Sequence, residues 1–376
     1  MKKYDLAVIG AGIMGLAHAL HAARAGLKVV VFERTSGARG ASVRNFGMLA
    51  LVAQAPGAQF TSASRSLKCW QDISRNTGLA LHQAGCVFLA RAPEELRVLE
   101  ECARLEGEES RSFDLLGQAD LLRRFAHLRT DNLLGGLWSP DAWKVDQRQA
   151  LAKISDWLAR EHGVVFHFST EVHGVDGGTI ESSAGAIGTR HTVLCGGDEF
   201  ETLFPEVFHG SGVGHCTLQM LRTKPQPAGW RLDPFLLGGL SIPRYNIFAS
   251  CPGLPDLKEY QAQHYATHLE HGIHLIACQE GDGSITIGDS HRYGHDRTDE
   301  RSEEIDNLLL AELSEMITLP APTIDKRWLG HYAYLPNGAP LVVPAAPDVT
   351  AVTVTNGQGM THGFALAEDV IRDLFG

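Results

Sequence analysis

The first 33 residues contain the pattern that most constrains the fold of this chain. Residues 4–9 form a short apolar run that ends at Gly10, and residues 13–25 carry apolar side chains at helical spacing. Residues 28–32 form a second, β-branched run, which Glu33 closes. Strand, glycine turn, helix and strand in this order predict a βαβ unit with a right-handed crossover between parallel strands.

The turn of this unit reads Gly-Ala-Gly-Ile-Met-Gly, with glycines at positions 10, 12 and 15. Gly10 permits the tight turn, Gly12 lets the backbone approach a pyrophosphate, and Gly15 allows the helix to pack closely on the strand. The helix N-terminus offers N–H groups and partial positive charge to phosphates, and Glu33 can accept hydrogen bonds from ribose hydroxyls. The unit therefore predicts an adenine dinucleotide, and by itself it leaves NAD and FAD open.

Composition excludes several other classes of protein. The net charge of −11 over 376 residues, with no basic stripe, argues against binding of nucleic acid. The seven cysteines form no CxxC pair, so neither a zinc knuckle nor a redox dithiol is expected, and reduced thiols indicate a reducing compartment. We find no signal peptide and no apolar run of about 18 residues, and we therefore expect a cytoplasmic protein without a membrane span.

The rest of the chain predicts a mixed architecture. Residues 93–106, 147–162 and 299–316 have the pattern of amphipathic helices, while 212–292 alternates short strands with Pro and Gly and suggests an antiparallel sheet. The expected fold class is α/β plus antiparallel β, with a Rossmann-like domain interleaved with a substrate domain built on a mixed or antiparallel sheet. The predicted boundaries are 1–55, 140–210 and 325–376 for the dinucleotide-binding domain, and 56–139 and 211–324 for the substrate-binding domain.

Several later segments resemble one family of flavoenzymes. The chain is similar to the D-amino-acid oxidase, glycine oxidase and sarcosine oxidase superfamily of FAD-dependent oxidoreductases, on the evidence of GARGASVRNFGM (37–48), LGGLWSPDAWKVDQ (134–147), TEVHGV (170–175), TVLCGGD (192–198), WLGHYAYLPNGAPLV (328–342) and TNGQGMTHG (355–363). Gln147 stands where the family normally has proline, which is a small departure. This resemblance decides for FAD.

The resemblance also implies which residues hold the cofactor. The Gly-rich turn that enters a helix at 357–364 would direct N–H groups at the flavin N1/O2 edge, where reduced flavin carries negative charge. Residues 326–342 contain no cysteine of the kind that binds flavin covalently in some sarcosine oxidases, so FAD is expected to be non-covalent. The expected cofactor contacts are Gly10, Gly12, Ile13, Met14, Gly15, Glu33, Arg34, Ala41, Ser42, Arg44, Asn45, Gly47, Met48, Val172, Cys195, Gly196, Gly197, Gly330, Asn356, Gly357, Gln358, Gly359, Met360 and Thr361.

The chemistry implied by the family is oxidation of a C–N bond. The α-hydrogen of the amine passes as a hydride to flavin N5, and the imine is hydrolysed to an aldehyde or other carbonyl compound and an amine. Such chemistry mostly needs a neutral amine held against the flavin, so the lack of a catalytic triad is compatible with an enzyme. O₂ and another electron acceptor both remain open.

One departure from the family bears on the substrate. Many relatives carry an arginine that clamps the substrate carboxylate bidentately, and the matching position here is Tyr332. Tyr332 and its neighbours could instead hydrogen-bond a larger oxyanion, although core aromatic residues would give the same pattern. The expected substrate-site candidates are His331, Tyr332, Tyr334, Arg292, His291, His362 and Asn45.

The loop at 37–48, the QMLRT segment at 219–223 and the ending after 355 resemble a subgroup associated with aminophosphonate catabolism. This resemblance implies that 2-aminoethylphosphonate, or its N-methyl derivative, is oxidised to phosphonoacetaldehyde. The alternatives are oxidation of glycine, sarcosine or a D-amino acid by the same fold, an NAD-dependent dehydrogenase, and a flavoprotein that binds a protein or RNA partner. The acidic balance argues against RNA.

Overall fold

The computed structural model describes residues 3–106 and 112–376. The described strands are β1 (Lys3–Ile9), β2 (Val29–Phe32), β3 (Met48–Leu49), β4 (Leu81–Gln83), β5 (Cys86–Ala90), β6 (Asp114–Gly117), β7 (Gly135–Ser139), β8 (Trp143–Val145), β9 (Val165–His167), β10 (Val172–Asp176), β11 (Thr179–Ser182), β12 (Gly185–Leu194), β13 (Gly214–Thr223), β14 (Phe235–Leu237), β15 (Ile276–Gln279), β16 (Ile285–Gly288), β17 (Arg292–Gly294), β18 (Ile324–Tyr334), β19 (Leu341–Ala346) and β20 (Val349–Thr353). The described α-helices are α1 (Ile13–Arg24), α2 (Ala58–Thr77), α3 (Pro93–Glu106), α4 (Gln118–Arg124), α5 (Gln147–His162), α6 (Pro205–Ser211), α7 (Leu254–His264), α8 (Ala266–Glu270), α9 (Glu303–Met316) and α10 (Gly359–Phe375).

The predicted βαβ unit lies at the centre of the first sheet. Strand β1 pairs in parallel with β2 and with β12, β2 pairs in parallel with β9, and β12 pairs in parallel with β20. Leu6 and Val8 on β1 pack against helices α1, α5 and α10, while Ala7 faces Val172 and Ile180 of the antiparallel β10–β11 hairpin. Both faces of the sheet are therefore buried, which explains the continuous apolar run of β1.

The second sheet is mostly antiparallel and runs in the order β17-β13-β16-β15-β14-β5-β7-β6, with β18 also paired to β13. Strands β13 and β18 pair along nearly their whole length, from Gly214 opposite Tyr334 to Thr223 opposite Ile324. Helix α9 covers one face of this sheet through Leu309 and its apolar neighbours. The fold class is thus confirmed as α/β with an antiparallel substrate-side sheet.

Three local features differ from the sequence expectation. The segment 212–292 contains helices α7 and α8 between its strands, because Gly253 and a proline in the first turn of α7 start a helix where proline is tolerated. Strand β18 falls in the segment 325–376, which we predicted to belong to the dinucleotide-binding domain, yet it pairs within the second sheet. The helix predicted at 299–316 begins later, at Glu303, because the Ser302 side chain accepts a hydrogen bond from the backbone N–H of Ile305.

The two sheets meet around one large cavity, which lies at the carboxyl ends of β1, β2 and β12 and below one face of the second sheet. Ligands in open α/β sheets bind at this edge of the strands. Among the described helices, none combines the length and the apolar character needed to cross a bilayer.

Candidate cofactor and substrate site

The cavity has a volume of about 800 Å³, which lies in the range of sites for cofactors and small ligands. One end is formed by the glycine turn after β1 and the strand ends around it. The other end reaches the second sheet and the 3₁₀-helix at Gly239–Arg244. We call these the dinucleotide end and the substrate end.

The glycine turn at the dinucleotide end leaves no space for side chains. A Cβ atom at Gly10, where φ is +102°, would lie 2.4 Å from the carbonyl oxygen of Cys195, and one at Gly15 would lie 1.8 Å from that of Gly10. The turn is fixed by the Gly10 N–H, which donates to the Phe32 carbonyl at 2.8 Å. The backbone of the turn at Gly10 and Gly12 lines the cavity, as a bound pyrophosphate requires.

Helix α1 begins at this turn without a side-chain cap, since its N-cap residue is Gly12. Its first turn contains no acidic residue, so no side chain of the helix itself offsets the partial positive charge there. The N–H of Ile13 donates to the hydroxyl of Ser42 at 3.0 Å. This end of α1 fits an anionic phosphate.

Glu33 lies where the second strand ends and is held in place from two sides. Its Oε2 accepts from the backbone N–H of Ala11 at 3.0 Å, and its Oε1 accepts from the backbone N–H and hydroxyl of Thr35 at 2.9 and 2.6 Å. The carboxylate lines the cavity. A fixed carboxylate at this strand end is suited to bind ribose hydroxyls.

A second helix N-terminus points at the same cavity. Helix α10 begins at Gly359 without a side-chain cap, two residues after Gly357, whose φ of +74° favours glycine. A Cβ atom at Gly357 would lie 3.2 Å from the ring of Tyr332. Helices α1 and α10 pack against each other with Gly363 facing Met14, where a Cβ would come within 3.1 Å of the sulfur. Two positive helix ends therefore converge on one site.

The loop at 37–48 crosses the middle of the cavity and is fastened at several points. Arg44 donates to the Leu329 carbonyl of β18 at 2.9 Å, and the Asn45 side chain accepts from the Gly47 N–H at 2.7 Å. Lys144, which is buried, donates to the Phe46 carbonyl at 2.7 Å. These bonds hold the loop between the two sheets.

The cavity brings together nearly all the residues that the sequence predicted to contact the cofactor. Those that line it are Gly10, Gly12, Ile13, Met14, Glu33, Arg34, Ala41, Ser42, Arg44, Asn45, Met48, Val172, Cys195, Gly196, Gly197, Gly330, Asn356, Gly357, Gln358, Gly359, Met360 and Thr361. Gly15 and Gly47 do not line the cavity. They allow close backbone packing behind its wall, since a Cβ at Gly47 would lie 2.0 Å from the Val145 carbonyl oxygen. The bare glycine turn, the two helix ends and the placed carboxylate fit FAD.

At the substrate end, a guanidinium projects into the cavity from the 3₁₀-helix. Arg244 Nη1 donates to the Tyr293 hydroxyl at 2.7 Å, and Nη2 lies 3.4 Å from the Tyr332 hydroxyl. Burial opposes its charge, but Tyr332, Tyr293 and Asp289 hold the pKa of Arg244 above its ordinary value. The group is therefore a cation in the cavity wall.

Beside it lie three buried side chains, which we call the acceptor cluster: His274, Asp289 and His291. Strand geometry brings them together. His274 and Asp289 exchange two backbone hydrogen bonds of 3.2 and 3.1 Å, so their side chains lie on the same face, and His291 follows two residues later. One ligating atom from each residue lies within 4.8 Å of the other two.

The hydrogen bonds of the two histidines define which nitrogen faces the cluster. His291 Nδ1 lies 3.1 Å from the Gly272 carbonyl, which only accepts, so Nδ1 carries the hydrogen. Ser241 donates its hydroxyl to the Leu275 carbonyl at 3.1 Å, so the hydroxyl oxygen can accept from His274 Nδ1 at 3.5 Å. Both Nε2 atoms therefore present lone pairs to Asp289.

Burial sets the charge of this cluster. It lowers the pKa of His274 and of His291 well below the ordinary value, and the nearby Arg244 adds to the effect, so both rings are neutral. Burial also raises the pKa of Asp289 to about 7, against the opposing attraction of Arg244. Around neutral pH, Asp289 can gain or lose a proton.

The sequence-predicted substrate candidates divide into two groups. His291, His331, Tyr332, Tyr334 and Asn45 line the cavity, whereas Arg292 and His362 do not. Arg292 is exposed. His362 is bound to the side chains of Ser62 and Gln54, both at 3.0 Å, and burial lowers its pKa to about 4, which indicates a structural role behind the cavity.

Sequence reasoning missed four residues of the substrate end: Arg244, Tyr245, His274 and Asp289. Arg244 follows the segment GLSIP, which has no motif that marks a binding site. His274 and Asp289 meet only through the pairing of two strand ends that are 15 positions apart along the chain. The correct register of that pairing is the information that would have shown that the two residues meet.

Comparison with known proteins agrees with this geometry. The family model named DAO, described as FAD dependent oxidoreductase, matches residues 5–372. A curated relative, N-methyl-L-tryptophan oxidase of Salmonella dublin, is 28% identical over 218 residues, which cover 54% of this chain and 56% of the relative. The chain thus spans little more than half the length of the curated relatives it matches.

Solved structures show the same fold over the whole chain. L-proline dehydrogenase from P. horikoshii has a TM-score of 0.78 at 19% identity, with 100% of this chain and 94% of that chain covered. Glycine oxidase from Geobacillus kaustophilus has a TM-score of 0.75 at 17% identity, with coverage of 100% and 95%.

Proposed function

This chain belongs to the DAO family of FAD-dependent oxidoreductases, and from that premise we propose that it oxidises the C–N bond of a small amine carrying an anionic group. FAD is the cofactor. The glycine motif alone was compatible with both NAD and FAD. When bound, FAD supplies the two-electron acceptor for this oxidation.

The observation that carries the proposal is Arg244. A cation held at the substrate end by the hydroxyls of Tyr293 and Tyr332 is a receptor for an anion. It takes the place of the arginine that the family usually carries at the position of Tyr332. The anchor therefore comes from a different element, the 3₁₀-helix at Gly239–Arg244.

For the anion itself, we propose a phosphonate, with 2-aminoethylphosphonate or its N-methyl derivative as substrate and phosphonoacetaldehyde as product. A phosphonate has three oxygens, one more than a carboxylate. Around Arg244, burial raises the pKa of Tyr332 and Tyr293 and keeps both hydroxyls protonated, so each can turn its O–H towards a bound anion. This set of donors suits the larger anion.

The second candidate is oxidation of glycine, sarcosine or a D-amino acid. It is favoured by the planar guanidinium of Arg244, which matches a carboxylate bidentately. The likeness in fold to glycine oxidase and L-proline dehydrogenase is compatible with either candidate.

Anaerobic flavin reduction tests both candidates in one experiment. Purified holoenzyme is mixed with 2-aminoethylphosphonate, its N-methyl derivative, glycine, sarcosine, D-alanine and N-methyl-L-tryptophan, and the loss of flavin absorbance near ~450 nm is followed. Bleaching by the phosphonates supports the first candidate. Bleaching only by the amino acids overturns it in favour of the second, and no bleaching by any amine refutes amine oxidation.

The role of Arg244 is tested by the variant Arg244→Met. Loss of a hydrogen-bonded contact to a charged group costs about 1.5–3 kcal/mol, so kcat/KM for the anionic substrate should fall about 10-fold to 150-fold. For a matched uncharged amine, such as propylamine in place of 2-aminoethylphosphonate, kcat/KM should change little. The control Arg231→Met removes an exposed arginine outside the cavity. Equal losses with charged and uncharged amines would contradict an anion anchor.

A further inference from the structure

We propose that the acceptor cluster of His274, Asp289 and His291 binds the amino group of the substrate as a primary ammonium, and that Asp289 takes the proton this group must lose before oxidation. The inference rests on the proposed function and makes it more specific. It assigns the amine end of the substrate, whereas Arg244 holds the anionic end.

The first argument is that the cluster contains only acceptors when Asp289 is ionised. Both Nε2 atoms present lone pairs, and the carboxylate of Asp289 offers oxygens. Asp289 Oδ1 and His274 Nε2 are buried 3.3 Å apart, and in the described part of the chain neither atom has a hydrogen-bond partner. Buried acceptors that face each other need a donor between them. An ammonium group is such a donor.

The second argument is the spacing of the acceptors. An ammonium donates tetrahedrally over about 2.9 Å, which places its acceptors up to about 4.7 Å apart. The cluster spans no more than 4.8 Å. A zinc ion with bonds of about 2.0–2.1 Å would hold its ligand atoms about 3.4 Å apart, but His291 Nε2 and Asp289 Oδ2 are 4.0 Å apart. His274 Nε2 and Asp289 Oδ1, at 3.3 Å, are close enough for a metal ion, so the wider separation of His291 and Asp289 is what favours an ammonium over zinc.

The third argument is the distribution of charge at the substrate end. Arg244 and Asp289 give the cavity wall one positive and one negative pole, which complement a molecule that carries both an anion and an ammonium. The negative pole is also rigid, because His274 and Asp289 are joined by two backbone hydrogen bonds. Such a preformed arrangement holds the amine without reorganisation.

Proton transfer follows from the same contacts. Oxidation of the C–N bond needs a neutral amine. An N–H bond of the ammonium breaks, its electron pair remains on nitrogen, and the proton goes to a carboxylate oxygen of Asp289, which becomes a neutral acid.

The charged and titratable groups around Asp289 are Arg244 and Tyr245 from the 3₁₀-helix side, His274 from the paired strand end, His291 and Tyr293 from its own segment, and Tyr332 from β18. With a pKa of about 7, Asp289 can accept this proton near neutral pH and release it later.

This geometry distinguishes primary from secondary amines. A primary ammonium has three N–H donors for three acceptors, whereas an N-methyl ammonium has two and would turn its methyl group towards one acceptor. Leaving that acceptor unpaired lowers affinity about 5-fold to 150-fold. The cluster therefore selects 2-aminoethylphosphonate over its N-methyl derivative, and glycine over sarcosine.

The test compares these matched pairs on the wild-type holoenzyme. The dissociation constants of 2-aminoethylphosphonate, glycine and their N-methyl forms are measured by anaerobic calorimetric titration of dithionite-reduced holoenzyme, whose flavin can accept no further hydride. Tighter binding of the primary members supports the inference, and equal or weaker binding overturns it. Because no oxidation occurs, this result is separate from that of the reduction experiment, whose failure would refute the proposed function.

The variant Asp289→Asn tests the proton acceptor. Flavin reduction at pH 7 should slow about 100-fold to 10,000-fold. In the wild type the rate should rise as the pH increases through about 7, because Asp289 must be ionised to accept the proton. In the variant, the rise should move to the higher pKa of the free substrate amine. The control is Asp256→Asn, an exposed residue that pairs with Arg97.

A rate within a few-fold of the wild type, together with an unchanged pH profile, would overturn the role of Asp289. FAD content and circular dichroism show whether the variant is folded. If it is not, the binding comparison on the wild type still decides the inference.

Discussion

Gly15 offers a test of how the glycine turn at the dinucleotide end of the cavity binds FAD. A Cβ atom at this position would lie 1.8 Å from the Gly10 carbonyl oxygen, whereas such contacts are not observed below 3.0 Å. In Gly15→Ala, helix α1 and the turn must therefore separate by more than 1 Å. This strains the packing of the helix by about 1–3 kcal/mol and moves the backbone N–H groups that face the phosphates.

The effect on cofactor affinity should be larger than the effect on stability. A hydrogen bond to a charged group contributes about 1.5–3 kcal/mol, so losing two of them costs about 3–6 kcal/mol. This corresponds to a rise of about 100-fold to 10,000-fold in the dissociation constant of FAD. The assay is titration of the apoprotein with FAD, followed by tryptophan fluorescence, with urea unfolding measured in parallel.

Gly26→Ala is the matched control. Gly26 follows the C-terminal end of α1 and has a φ of +80°, but a Cβ there would meet no atom within 4 Å. It should cost about 1–2 kcal/mol of stability through its backbone conformation alone and leave the affinity for FAD unchanged. If Gly15→Ala binds FAD as tightly as Gly26→Ala does, the close approach of helix α1 to the glycine turn is not required for FAD binding.

Three further outcomes are expected. Acid precipitation should release the flavin into the supernatant, because the segment 326–342 contains no cysteine, and flavin retained in the pellet would contradict this. In the wild type, the buried carboxylate of Glu280 lies 3.2 Å from the ammonium of Lys144. Lys144→Met leaves this carboxylate without its partner and should lower the free energy of unfolding by about 3–5 kcal/mol, measured by urea denaturation. Burial lowers the pKa of both His18 and His362 to about 4 from 6.5, so each contributes stability above pH 6.5 that is lost as the pH falls towards 4, by roughly 3 kcal/mol when complete. Unfolding followed from pH 7 to pH 4 should show this decline, and His362→Gln should show less of it.

The sequence was sufficient for the dinucleotide end because that end is built locally. The predicted strand at 4–9, helix at 13–25 and strand at 28–32 correspond to β1, α1 and β2, and the glycines specify the turn between them. Each glycine serves a backbone contact between neighbours in the chain, so spacing alone carries the information. FAD followed from the resemblance of later segments and agrees with the family match.

The substrate end could not be predicted in the same way. Arg244 comes from a 3₁₀-helix without a sequence motif, and His274 reaches Asp289 only through strand register. Arg292 was an attractive candidate because it stands in a run of charged and aromatic residues, yet it is exposed, whereas His291 beside it is buried in the cavity wall. Adjacent residues in an extended segment point to opposite sides, so proximity in sequence was a poor guide there.

The pairing of α1 with α10 has a consequence for the order of events during synthesis. Residues near one end of the chain and residues up to Phe375 near the other contribute the two helix ends of the same cavity. The ribosome makes α1 early, and β20 and α10 only after more than three hundred further residues. Until then, β12 lacks its neighbour β20 in the central sheet. The whole cavity is therefore available to FAD only after β20 and α10 have been translated.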